Sequence, residues 1–126
     1  MIGQILAAAG PHCRGVFGGQ AGQYLLDEFR RGAAGNMPAC QTTDLLQDVW
    51  DLLEAGDERA ARARFNRVLP LINYERLYGV ALYKEVLYRR GVIGCRLCRA
   101  PGRELDDQDR RELDAILADI EPLYRV

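Results

Sequence analysis

Two short strand-like pieces separated by a helical pattern, in residues 15–39, constrain this sequence more than any other feature. Residues 15–18 and 35–39 predict strands. Residues 20–31 predict a helix with an apolar stripe made of Tyr24, Leu25, Leu26 and Phe29. Two strands joined through a helix should lie parallel, with a right-handed crossover. This stretch therefore predicts an α/β arrangement.

Such a strand pair is incomplete as it stands. Parallel strands normally belong to larger sheets that are covered on both faces, and a two-stranded sheet is marginal alone. We therefore expect unpaired strand edges, and exposed apolar area on the face opposite the helix. Self-association, or occupation of these edges and this face by another chain, would follow.

The rest of the chain predicts helices. Thr43 should cap a helix that Gly56 closes, and Asp57 should cap a longer pattern. A further helix over residues 80–90 should end at Gly91 and turn four side chains inward, namely Val80, Tyr83, Val86 and Leu87. After a loop over residues 92–103, Asp106 or Asp107 should cap the last helix. The predicted fold class is therefore α/β but predominantly α-helical.

Pro70 lies inside the long pattern that follows Asp57. A proline within a helix removes one backbone hydrogen bond, and its ring clashes with the preceding turn. We therefore expect a helix break within two residues of Pro70.

Composition limits the classes of function. The chain has 126 residues, enough for one domain, with a net charge of −1 and a pI near 5.8. This balance argues against a nucleic-acid partner. The sequence holds no apolar run of about 20 residues, as a membrane span would need. Four cysteines without an export signal suggest reduced thiols, and we expect a cytoplasmic location.

Several segments, in order, resemble one enzyme family. The run G-V-F-G-G-Q-A-G-Q-Y-L-L-D-E-F-R-R-G-A-A-G-N-M-P-A resembles the last two strand–helix units of the dihydrodipicolinate synthase / N-acetylneuraminate lyase family. The segments L-L-E-A-G-D-E-R-A-A-R, R-V-L-P-L-I-N-Y-E-R and Y-K-E-V-L-Y-R-R-G-V-I resemble the helices that follow. Members of this family are pyruvate-type class I aldolases on a (β/α)₈ barrel.

The resemblance implies a partial barrel followed by a helical bundle. Residues 1–56 would supply the seventh and eighth βα units, and residues 57–126 the C-terminal helical extension. A full barrel needs about 250 residues. The family's imine-forming lysine ends the sixth strand, which should lie just before Met1. The resemblance therefore gives this chain no catalytic residue, and we expect the chain alone to be inactive.

The resemblance also implies where substrate would lie and what the parent enzyme would act on. In such barrels the C-terminal ends of the strands line the active site. The implied substrate-binding positions are Gly18, Gly19, Asn36, Met37, Pro38 and Ala39. The parent would be a lyase acting on a 2-keto acid, without metal or organic cofactor. It would work with a missing N-terminal barrel portion or as a homo-oligomer.

Two departures bear on the choice of substrate. The synthase branch favours Ser-Gly-Asp-Asp at the end of the seventh strand, where this chain has Phe17-Gly18-Gly19-Gln20. It favours Gly-Val-Ile-Ser-Val in the eighth strand, where this chain has residues 35–39 as Gly-Asn-Met-Pro-Ala. An aldolase or dehydratase acting on 2-keto-3-deoxy sugar acids is therefore at least as good an interpretation as the synthase.

Other readings of the same residues stay open. The glycines at 18, 19 and 22 could hold a dinucleotide phosphate, but the full G-x-G-x-x-G pattern is missing. Lys84, the only lysine, lies mid-helix beside Glu85, which favours a surface or packing role. The C-x-x-C of Cys95 and Cys98 could bind zinc or act in redox chemistry. Its possible further ligands, His12, Cys13 and Cys40, are distant in the sequence. His12 lies beside a turn with no obvious catalytic partner.

A function from a different class is also compatible with the sequence. The helical part of the chain could act as a small interaction or oligomerisation module without catalysis. The abundant tyrosines of the central helices suggest contact with another subunit or with a barrel, because aromatic residues are enriched at interfaces.

Overall fold

The computed structural model describes residues 1–125, which form two compact units divided after Ala39. We call residues 1–39 the strand unit and residues 40–125 the helical unit. Together they give a predominantly helical chain with one two-stranded parallel sheet, as predicted. The predicted division into two βα units (residues 1–56) and a helical extension (residues 57–126) rests on the family resemblance, and it stays a prediction.

The strand unit is a helix followed by a parallel β-α-β arrangement. Its elements are α1 (Ile2–Ala8), β1 (Phe17–Ala21), α2 (Leu25–Arg30) and β2 (Gly35–Pro38). The parallel pairing of β1 with β2 confirms the prediction. Leu25 and Leu26 are the buried residues of α2.

The bounds of two predicted elements of the strand unit were wrong. The strand begins at Phe17 rather than residue 15, and α2 begins at Leu25 rather than residue 20. The late start of α2 has a local reason, since Gln20, Ala21 and Gly22 all have positive φ angles, of 51°, 57° and 84°. Left-handed backbone cannot belong to a right-handed helix, so the helix starts only after this turn.

The helical unit contains four helices and two short 3₁₀ segments. Its elements are Cys40–Thr42 (3₁₀), α3 (Thr43–Glu54), α4 (Glu58–Tyr78), α5 (Val80–Arg89), α6 (Asp107–Ile120) and Glu121–Leu123 (3₁₀). Its core is apolar, with side chains from every helix. The largest fully buried apolar members are Leu45, Val49, Val68, Leu71, Ile72, Leu82, Val86, Leu113 and Ile120.

The ends of these helices follow the predicted signals closely. Asp57 accepts a hydrogen bond from the backbone N–H of Ala60 at 2.9 Å, and so caps α4. Asp106 caps α6 and forms a capping box with Asp109, each side chain accepting from the other's backbone N–H. Gly56 and Gly91 follow their helices at φ angles of 78° and 72°. Thr43 is the first residue of α3 rather than its cap.

The predicted break at Pro70 was wrong. Helix α4 runs unbroken through Pro70 from Glu58 to Tyr78. Pro70 itself is exposed, whereas Val68, Leu71 and Ile72 are buried. The lost hydrogen bond therefore lies on the solvent side, where water can hydrate the carbonyl, while apolar packing holds both halves of the helix in place.

The predicted inward face of α5 was wrong in part. Val80 exposes 57% of its surface, while Leu82, Glu85 and Val86 are buried. Gly79, at a φ of 54°, separates α4 from α5 and resets the helical phase. None of the helices described in residues 1–125 combines the length and the apolar character that crossing a bilayer would require.

Candidate functional site

The ends of β1 and β2 hold the six positions that the sequence assigns to substrate. In the pairing register, Phe17 lies opposite Gly35 and Gly18 opposite Asn36, but Ala21 lies opposite Pro38. Two residues of β1, Gly19 and Gln20, therefore stand against the single Met37 of β2. This irregularity is a β-bulge, a feature that re-aims side chains at the end of a strand.

The helix-facing side of the two strands is filled by a polar pair. Asn36 donates a hydrogen bond from Nδ2 to Oε2 of Glu28 on α2, at 2.9 Å. A Cβ added at Gly18 would lie only 1.9 Å from that Glu28 oxygen and 2.6 Å from Asn36 Nδ2. Gly18 is therefore required by the contact between Glu28 and Asn36.

Asn36 also carries an unsatisfied group on this side. Its Oδ1 is buried and has no hydrogen-bond partner among the described residues. The Glu28 carboxylate accepts from Nδ2, and this fixes which end of the amide points toward α2. A buried carbonyl oxygen left in this way can accept a hydrogen bond from a further donor.

The opposite face of the strands is apolar and exposed. Successive side chains of a strand point to opposite faces, so Phe17 and Met37 lie on the side away from Glu28. The Phe17 ring lies over Gly35, since a Cβ built there would approach it to 2.3 Å. Phe17 and Met37 expose 64% and 68% of their surface. The apolar face expected opposite the helix is present.

The six predicted positions are thus divided between different surroundings. Gly18 and Asn36 face α2, whereas Met37 lies on the exposed face. Gly19 has open space where a side chain would begin. Pro38 is paired with Ala21, and Ala39 directly follows β2. Substrate binding by these residues stays a prediction.

Two buried carboxylates of the helical unit had no signal in the sequence. Glu75 on α4 is 3% exposed and accepts a hydrogen bond from Nε2 of the buried Gln41. Burial raises the pKa of the Glu75 carboxyl, against hydrogen bonds from Gln41 and Tyr83 that lower it. Glu75 therefore favours its neutral form more than an exposed glutamate does.

Glu85 on α5 is equally buried but lies among cations. It is 4% exposed and forms ion pairs with Arg89, Arg96 and Arg110 at 2.9, 3.0 and 2.9 Å. Burial alone would raise the pKa of the Glu85 carboxyl, but hydrogen bonds from Arg89 and Arg110 outweigh it and hold the pKa below its ordinary value. Through Arg96, this carboxylate ties the loop after α5 to the helices.

The remaining chemically active side chains are dispersed. Lys84 donates from Nζ to the backbone carbonyl of Leu97, within the loop that follows α5. All four cysteines are free and exposed. In residues 1–125, no group of three or more His, Cys, Asp or Glu side chains is arranged to hold a metal ion.

Comparisons with known proteins match the chain to a named enzyme and to a solved structure. The chain is 31% identical over 121 residues to L-2-keto-3-deoxyarabonate dehydratase of Azospirillum brasilense, a match that covers 95% of this chain and 39% of that protein. The crystal structure of dihydrodipicolinate synthase from Rhodopseudomonas palustris matches with a TM-score of 0.82 and 33% identity, over 92% of this chain and 39% of that one. No protein-family model matches. The chain thus spans well under half the length of the proteins it is similar to.

Proposed function

We propose that this chain, which resembles the C-terminal portion of the dihydrodipicolinate synthase / N-acetylneuraminate lyase family, supplies the last two βα units and the helical extension of a 2-keto acid lyase. The observation that carries the proposal is a similarity running through 95% of the chain to a dehydratase and through 92% to a synthase. The parallel β-α-β arrangement supports the partial (β/α)₈ barrel.

The substrate class we propose is a 2-keto-3-deoxy sugar acid. The curated relative is named as a dehydratase of L-2-keto-3-deoxyarabonate. The strand ends of this chain also depart from the residues typical of the synthase branch. In the assembled enzyme, Gly19 and Met37 would border the substrate, because they lie at the strand ends away from Glu28. Gly18 and Asn36 would support the strand ends from behind.

The chain alone would not perform the chemistry. Lyases of this class form an imine between a lysine and the 2-keto acid, and an imine needs a neutral, accessible amine. Lys84 is the only lysine. It lies in the middle of α5, and its Nζ donates to the Leu97 carbonyl. The imine lysine would therefore come from polypeptide that this chain does not include.

We further propose that the exposed face of the strand unit is covered by such polypeptide. Phe17 and Met37 are solvent-exposed, and each strand pairs only with the other among the described residues. The missing N-terminal barrel portion would cover this face in the cytoplasmic enzyme, which would then assemble further as a homo-oligomer. Without that portion, self-association of the chain would be the substitute.

A hybrid protein tests the proposed activity directly. This chain would replace the matched segment of the Azospirillum brasilense dehydratase, and turnover of L-2-keto-3-deoxyarabonate would be measured. We expect measurable dehydration, and a loss of turnover when the hybrid carries Met37→Lys on the exposed strand face. A soluble, folded hybrid without activity would contradict the proposal.

Imine trapping supplies the matching test on the isolated chain. After incubation with pyruvate and borohydride, intact mass should show an adduct on the hybrid and none on this chain alone. A stoichiometric adduct on Lys84 of the isolated chain would overturn the proposed inactivity.

The alternative function is a non-catalytic interaction module. The helical unit favours it, since this unit has a continuous apolar core of its own. Sedimentation at several concentrations separates the two proposals. A concentration-independent, well-folded monomer would remove the main physical support for a missing barrel portion. If Phe17→Lys and Met37→Lys together abolish self-association, the result would support the missing barrel portion.

A further inference from the structure

Two neighbouring cavities lie under the loop that follows α5, and their charges differ. Both are lined by Ala81 of α5 and by the loop residues Cys98, Ala100, Pro101 and Gly102. One, of about 380 Å³, contains Glu85 with its ion-paired arginines. The other, of about 430 Å³, is lined by Lys84 and Arg99, and we call it the Lys84 cavity.

The cations of the Lys84 cavity are not neutralised. In the first cavity, Arg96 and Arg110 each form an ion pair with the Glu85 carboxylate. No acidic side chain of the described chain lines the Lys84 cavity. Lys84 uses one hydrogen bond on the Leu97 carbonyl, which leaves two of its three ammonium donors available. Arg99 forms no ion pair with any described residue.

The carboxylate that contacts Tyr78 of the cavity lining is already occupied. Asp109 accepts a hydrogen bond from the hydroxyl of Tyr78, a residue that also lines the Lys84 cavity. The guanidinium of Arg103 lies 4.6 Å from the centre of the Tyr78 ring and offsets the charge of Asp109. The Tyr78 hydroxyl is therefore committed, and Lys84 and Arg99 remain to bind a ligand.

The other walls of the cavity are apolar. Val80 and Ala81 contribute one side, and Ala100 and Pro101 contribute the loop side. The volume lies within the range of small-molecule pockets, about 300–1,000 Å³. Two cations beside apolar walls match a molecule with an anionic end and a short hydrocarbon portion.

We propose that the Lys84 cavity is a binding site for a small carboxylic acid with an apolar chain. Lys84 and Arg99 bind the carboxylate, and Val80, Ala81 and Pro101 contact the hydrocarbon. Arg99 suits this role because a guanidinium can donate two parallel hydrogen bonds to one carboxylate. The site lies within the helical unit and does not depend on the lyase function proposed above.

Calorimetric titration of the intact chain with hexanoate tests the site. Acetate lacks the apolar chain and hexanol lacks the charge, so both should bind more weakly than hexanoate. We expect Arg99→Gln and Lys84→Met each to weaken hexanoate binding by about tenfold, since each removes one charge-assisted contact. Arg62→Gln, at an exposed position of α4, is the control. It changes the net charge equally and should leave the affinity for hexanoate unchanged.

Two variants keep the test independent of folding. Lys84→Met also removes the hydrogen bond to the Leu97 carbonyl, whereas Arg99→Gln leaves that bond in place. Backbone amide shifts of residues 97–102 on adding hexanoate should locate the ligand under the loop. The proposal would be overturned by absent binding, by equal affinity for hexanol, or by an Arg62→Gln effect as large as that of Arg99→Gln.

Discussion

The strand unit and the helical unit bury their apolar side chains to different degrees. Of the buried apolar side chains in residues 1–125, four belong to the strand unit and fifteen to the helical unit. The strand unit also leaves Phe17 and Met37 exposed on its sheet. The helical unit surrounds its core with four helices. Amphipathic helices can close a core among themselves, whereas two parallel strands cannot cover their own faces.

This difference implies unequal stability. Apolar burial is the main favourable term in folding, so the helical unit should hold most of the free energy of unfolding. The strand unit should open more readily, because few of its apolar groups are out of water. Three measurements test this expected difference in stability.

The largest effect is expected from a core truncation in the helical unit. Leu113 on α6 is fully buried. Leu113→Ala should lower the free energy of unfolding by about 3 kcal/mol, through lost apolar transfer and the cavity left behind. Urea unfolding followed by the fluorescence of Trp50, the only tryptophan, measures the change. Leu97→Ala is the control, since Leu97 is 78% exposed and should change stability little.

An intermediate effect is expected at the paired carboxylate. Glu85→Gln should cost about 2 kcal/mol at pH 7, because it leaves a cluster of arginines without their counter-charge. The folded pKa of Glu85 lies below its ordinary value of 4.5, so its contribution is present above pH 4.5 and is lost as pH falls below it. Unfolding of Glu85→Gln should therefore depend less on pH in acid than unfolding of the wild type. A parallel pH profile would contradict this.

Glu75 provides the matched control, with the opposite sign. Its folded pKa is raised, so its stabilising contribution is present below pH 4.5 and is lost as pH rises through the folded pKa. At pH 7, Glu75→Gln removes the cost of burying a charged carboxylate. It also keeps a carbonyl oxygen that can accept a hydrogen bond from Gln41. We therefore expect little loss of stability at pH 7, in contrast to Glu85→Gln.

The smallest effect is expected in the strand unit. Gly18→Ala should separate Glu28 from Asn36 and destabilise the paired strands by about 1 kcal/mol, the value of one hydrogen bond. Amide hydrogen exchange of residues 17–21 and 35–37 reports on this unit, which the fluorescence of Trp50 does not. Gly19→Ala is the control, since nothing lies within 4 Å of its added Cβ. Equal exchange rates in the two variants would show that the polar pair does not stabilise the strands.

Local signals in the sequence predicted much of the fold. Asp57, Asp106, Gly56 and Gly91 mark helix ends because capping depends on neighbouring residues alone. The parallel pairing followed from the intervening helix, which is a rule of connection. The exposed apolar face followed from the same rule.

Features decided by tertiary contacts were missed or misplaced. Pro70 did not end α4, because packing on the buried side of the helix outweighed one lost hydrogen bond. The burial of Glu75 and Glu85 depends on partners such as Gln41 and Arg110, which are distant in the sequence. The candidate strand-end residues were placed on adjacent strands by sequence reasoning. Their division between two faces follows from strand alternation, but the β-bulge beyond Gly18 and Asn36, which shifts the register by one residue, was not predicted.

One carboxylate of α6 links the beginning of that helix to its docking partner. Asp109 accepts the backbone N–H of Asp106 through Oδ2 and the Tyr78 hydroxyl through Oδ1, while its backbone carbonyl accepts the Tyr74 hydroxyl at 3.1 Å. Asp109 thus stabilises the first turn of α6 and also accepts the hydrogen bonds from α4. During folding, α6 can form its first turn before it docks, and only one longitudinal alignment along α4 keeps both tyrosine contacts. A shift by a single residue would lose them together, so the assembly step discriminates against misaligned intermediates.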